Sequence, residues 1–145
     1  MLKPFSRPLR RGFKDVIFIR LYRLWANARD QSETPATALL AEVDLQGFAG
    51  FTAPACACFF ELQEAKLKRP LVPSDMANPR YSADERLLLT TLRSASPSHG
   101  THHRDGLKGA LSWAACAVRS GMDFESEATA GYRHASKGSG TNAGY

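Results

Sequence analysis

From Lys14 onward the apolar residues recur with the period of a helix. At about 100° per residue, Phe18, Leu21, Tyr22 and Trp25 share one side of the segment 14–29, while Arg20, Arg23 and Asn27 share the other. "SETPATALLAEVDLQG" carries its own boundaries. Thr34 stands at the N-cap position, Pro35 suits the first helical position because its missing N–H would be unpaired there, and Gly47 is a left-handed stop. Leu39, Leu40 and Val43 form its apolar stripe.

A third helix is expected from Thr52, with Pro54 in its first turn, to about Lys68. Its polar side is Glu61, Glu64 and Lys68, opposed by Ala55, Cys56, Phe59, Phe60, Leu62 and Leu67. Pro70, Pro73 and Pro79 then deny any regular element, so "RPLVPSDMANPRY" reads as an ordered, extended connection packed through Leu71, Val72 and Met76. "SADERLLLTTLRSA" opens with a capping box, Ser82 with Glu85, and buries Leu88, Leu92 and Ala95. A fifth helix, "LKGALSWAACAVRS", ends at Gly121. Its alanines 110, 114, 115 and 117 would let a neighbour approach closely, which places it near the centre of the bundle.

No stretch alternates as a half-buried strand does. The pattern is therefore all-α: a single small bundle of about five helices over residues 14–120. Pro4, Pro8 and Gly12 among cations predict a disordered basic N-terminal arm over residues 1–13. The glycine-rich residues 121–145 predict a disordered tail.

Composition changes this picture only in places. The 145 residues are 43% hydrophobic and 23% charged, enough for one domain with its own core. Three cysteines are too few to staple a secreted scaffold and point to reduced thiols in a cytoplasmic setting. No run is long and apolar enough for a transmembrane segment. A twin-arginine echo in "LRRGFKD" is followed by an apolar stretch interrupted by Arg20 and Arg23, which a translocated segment should not contain. The first fourteen residues, Arg-rich and acid-free, also suit an organellar presequence.

Charge is unevenly placed. Residues 1–29 carry eight cations against Asp15 alone, whereas the whole chain nets +5. Arg7, Arg10, Arg11, Lys14, Arg20 and Arg23 are thus the candidate contacts to nucleic acid or another anionic surface, with Phe5 and Phe13 interleaved. Helices two and three have the outline of a helix–turn–helix, but "APACACFF" offers almost nothing that reads a base edge.

Two further clusters invite chemistry. Cys56 and Cys58 with two of His99, His102 and His103 would be a zinc ligand set. On a helix, however, the two cysteines project about 160° apart, so Cys56 belongs to the core and Cys58 to its flank. Cys116, among alanines, reads as a core residue too, one where serine would cost stability. Neither phosphate-loop nor dinucleotide glycine pattern occurs, and no catalytic constellation stands out. The expectation is a non-enzymatic interaction or regulatory module with a protein partner and no cofactor. Nucleic-acid association through the Arg-rich N-terminus is the first alternative, and metal binding by the Cys and His clusters the second.

Overall fold

The computed structural model describes residues 3–95 and 106–123, with side chains from residue 12 onward. Five helices and no strand make up these residues: α1 (Lys3–Asp30), α2 (Pro35–Gln46), α3 (Thr52–Leu67), α4 (Ala83–Ser94) and α5 (Gly106–Gly121). The all-α bundle expected from the periodicity is the fold. The helical backbone of α1 is bounded at Lys3 rather than Lys14. Pro4 falls in its first turn, where a proline forfeits no hydrogen bond. The expected tail lies outside the described residues from position 124. Its first residues do not, since Gly121 and Met122 are buried.

An aromatic cluster joins α1 to α3. Phe60 lies 5.3 Å from both Tyr22 and Trp25 and 5.7 Å from Phe18, ring centre to ring centre, and Phe18 also meets Phe59 at 6.0 Å. Such pairs add about 0.5–1.5 kcal/mol each beyond the area they bury. Around them pack Leu21, Leu39, Val43, Cys56, Leu88, Leu92, Ala115 and Val118. The wheel thus names the buried side of α1 correctly, apart from Arg23.

The ends of the helices show which local signals act. Glu85 donates its amide to Ser82 Oγ at 3.1 Å and its carboxylate accepts the Ser82 amide at 2.9 Å, so the capping box is complete. Gly47 stops α2 at φ 74°. Thr34 makes no side-chain cap; Pro35 alone marks that start. Lys68 ends α3 in the left-handed region at φ 58°, with the Arg69 amide donating to the Glu64 carbonyl.

Three expectations about burial are corrected. Leu40 is exposed while Leu39 and Val43 are buried, because α2 is apolar almost all round and its wheel does not choose a face. In the connection only Leu71 packs; Val72 and Met76 are exposed, because its backbone is anchored by polar side chains instead. Along α5, which packs mostly on α3 and then α4, the outer Trp113 is exposed. Cys116 on the same helix is half-buried rather than a core residue, and its sulfur accepts from Arg119 Nη2 at 3.2 Å, so a serine hydroxyl there would meet a donor.

The end of α5 packs tightly against the start of α3. A Cβ on Gly121 would overlap Thr52 Oγ1 and lie 3.0 Å from Thr52 Cβ and 3.2 Å from the Phe51 ring. Gly121→Ala should therefore destabilise by about 1–3 kcal/mol, as overpacking does. Gly12→Ala, where a Cβ meets nothing within 4 Å, should be neutral or stabilising by up to ~1 kcal/mol. Urea midpoints of the two variants check both.

Candidate functional site

The most densely bonded polar region is the one the periodicity leaves blank, the connection between α3 and α4. A chain with three prolines cannot pair its own backbone, so its N–H and C=O groups need side-chain partners when buried. Three carboxylates at the flanking helix ends supply them. Glu64 accepts the Leu71 amide at 2.7 Å, Asp84 the Val72 amide at 2.8 Å, and Glu85 the Ser74 and Ser82 amides at 3.2 and 2.9 Å.

Each carboxylate is matched by an arginine. Arg29 pairs with Glu64 and stacks over Trp25, 4.3 Å from the ring centre. Arg69 meets Asp84 with two bonds of 2.8 Å. Arg23, only 6% exposed, meets the fully buried Glu85 with Nε and Nη2 at 2.8 and 2.9 Å. Its remaining donors go to the carbonyls of Met76, Asn78 and Arg80 at 3.3, 2.7 and 3.1 Å. All five guanidinium N–H groups are thereby used.

The electrostatics follow from this geometry. Burial pushes the Glu85 carboxyl upward, but the Arg23 hydrogen bonds and the Ser82 and Ser74 amides outweigh it and hold the group below the ordinary range. Asp84 is likewise held low, by Arg69 first and despite burial, with the Val72 amide contributing. Both stay ionised near neutral pH and accept all the bonds around them, which suits clamping rather than proton transfer. Tyr22 lies near these carboxylates. Burial first and then Glu85 and Glu64 raise its hydroxyl, which has no hydrogen-bond partner among the described residues.

A shallow pocket of about 270 Å³ opens beside the clamp, lined by Arg23, Asn27, Asp30, Ser74, Asp75 and Met76 among others. Its one basic group, Arg23, has no donor left to offer. The pocket therefore presents the carboxylates of Asp30 and Asp75 and the amide of Asn27.

The other candidate residues are dispersed. Of the six proposed anion contacts, Arg7, Arg10 and Arg11 fall outside the described side chains. Lys14 donates to the Asp123 carbonyl, and Arg20 pairs with Glu42 at 2.7 Å. Arg23 is withdrawn from that set. It sits on the polar side of its own wheel, but the connection and the start of α4 cover that side, so it cannot reach phosphate. Cys56 is buried, its thiol pushed to about 12 by desolvation, while Cys58 is exposed on another side of α3. The two do not form one ligand pair. His99, His102 and His103 lie outside the described residues, and among those described no three His, Cys, Asp or Glu side chains gather.

Arg119 has no sequence signal of its own. Largely buried on α5, it donates to the Leu92 and Ala95 carbonyls at 2.7 and 2.5 Å, so it caps the C-terminal end of α4. No family model, curated protein or solved structure matches the chain.

Because Glu85 titrates lower in the folded chain than its ordinary value of 4.5, its stabilising effect is complete above that pH and is lost as pH falls through the folded value. Wild-type stability should therefore drop steeply on acidification below about pH 4.5. Glu85→Gln should be less stable at pH 7, by about 3–5 kcal/mol, with a shallower acid slope. Denaturant titrations from neutral to acidic pH read both, and parallel slopes would contradict the clamp.

Proposed function

We propose that this chain is a non-enzymatic interaction module that holds a protein partner against α2 and the turn that follows it. The observation that carries the reading is apolar exposure there. Leu45 is 77% and Phe51 50% exposed, with Leu40 and Ala41 also open on α2. Scattered exposed leucines are ordinary, but apolar residues concentrated on one element and its adjoining turn mark surfaces that bind. α2 has only Glu42 and Asp44 as charges, and Glu42 is buried against Arg20. Its outward side therefore carries little that favours water.

The rest of the bundle supports a scaffolding role. The Arg–carboxylate clamps fix α1, α3 and α4 around the irregular connection and leave α2 to present its outer side. No transmembrane-length apolar helix occurs among the described residues.

The test is affinity isolation from a native lysate with the wild-type chain and with Leu45→Asp/Phe51→Asp. Both substitutions are at exposed positions and should leave the thermal midpoint within a few degrees. A partner retained by the wild type and lost by the variant is the expected outcome. Identical partners for both chains, or none for either, would contradict the reading.

A further inference from the structure

The apolar side of α1 changes place along the helix. From Phe18 to Trp25 the apolar positions face the bundle, and Phe18, Tyr22 and Trp25 are buried. In the register of the same helix, positions 5, 9, 13 and 16 (Phe5, Leu9, Phe13, Val16) fall within about 80° of one another, roughly half a turn away from that side. The two with described side chains bear this out: Phe13 is 64% and Val16 54% exposed. One continuous helix cannot turn both stripes toward the same core, and Phe13 and Val16 lie outside it.

The cations are in register as well. Positions 3, 7, 10, 11 and 14 (Lys3, Arg7, Arg10, Arg11, Lys14) fall within about 100° on the side opposite the apolar stripe. No acid precedes Asp15, which itself pairs with Arg93 on α4. In the register of α1, residues 3–16 thus put the Phe, Leu and Val positions on one side and the Lys and Arg positions on the other. That division distinguishes the ligand. A phosphate backbone needs only the cations, and stacking on bases would use Phe5 and Phe13 but leave Leu9 and Val16 in water. A bilayer surface uses both sides: aliphatic and aromatic residues enter the headgroup–acyl boundary while arginines reach lipid phosphates.

We infer that the N-terminal half of α1, residues 3–16, is an in-plane anchor for anionic lipid surfaces, lying on the bilayer through Phe5, Leu9, Phe13 and Val16. The cations attract it to the surface and the apolar stripe retains it there; neither alone suffices for stable attachment. Lys14, bound to the Asp123 carbonyl, marks where the anchor meets the body of the bundle. This surface is separate from the α2 face and does not depend on it.

The experiment uses the full chain with vesicles of phosphatidylcholine alone or with about one-third phosphatidylserine, followed by sedimentation. The wild type should sediment with the anionic vesicles only, and less as salt rises. Phe13→Ser/Val16→Ser, at two exposed positions and so neutral for folding, should weaken the partition about tenfold or more. Arg10→Gln/Arg11→Gln should weaken it at least as much. A parallel titration with single-stranded RNA supplies the competing outcome. No sedimentation of the wild type overturns the proposal. So does sedimentation that Phe13→Ser/Val16→Ser leaves unchanged, and so does RNA binding tighter than vesicle binding and insensitive to Val16→Ser.

Discussion

The buried pair of Arg23 and Glu85 is the constraint on which the rest of the arrangement hangs. Neither ion would be tolerated alone in an interior, since the effective cost of desolvating each is several kcal/mol. Here each is surrounded by partners that complete its hydrogen bonds. The guanidinium spends its five donors on Glu85 and three carbonyls of the connection, and the carboxylate accepts two amides from that connection as well. Two residues 62 positions apart therefore fix α1, α4 and the proline-broken segment at once.

The aromatic cluster and the clamp have different roles. Phe18, Tyr22, Trp25, Phe59 and Phe60 supply non-directional burial, which would tolerate many small rotations of α1 over α3. Bidentate pairing tolerates few. Fixing Arg23 in the interior orients the polar flank of α1 toward the connection, and the helix is then committed to the face it buries. Because α1 is continuous from Lys3 to Asp30, that commitment also determines which side of its first turns looks away from the bundle. Phe13 and Val16 look outward because they lie roughly half a turn from Phe18, Tyr22 and Trp25.

Local features were legible in the sequence where a single residue type answers a single local need. Ser82 with Glu85 announced the start of α4, Gly47 the end of α2, and the split of Cys56 from Cys58 followed from helical spacing alone. What remained hidden was non-local. A wheel places Arg23 on the polar side of α1, and only the return of residues 69–82 across that side makes it interior. Arg119 is similar: nothing beside it in sequence reveals that its fork meets the carbonyls ending α4. One signal was available. A connection containing Pro70, Pro73 and Pro79 that is nonetheless ordered must borrow partners, and Glu64, Asp84 and Glu85 stand at its two ends. On α2 the periodicity could not choose Leu39 over Leu40, because almost every position there is apolar.

A double-mutant cycle on the buried pair measures its role most directly, with Arg23→Met and Glu85→Leu made singly and together and stability read by urea denaturation. Each single change strands a buried charge and should cost about 3–5 kcal/mol, while the double variant should cost less than the sum by more than ~1 kcal/mol. Costs that add within ~0.5 kcal/mol would show the two residues acting independently and would contradict the clamp as the organising interaction.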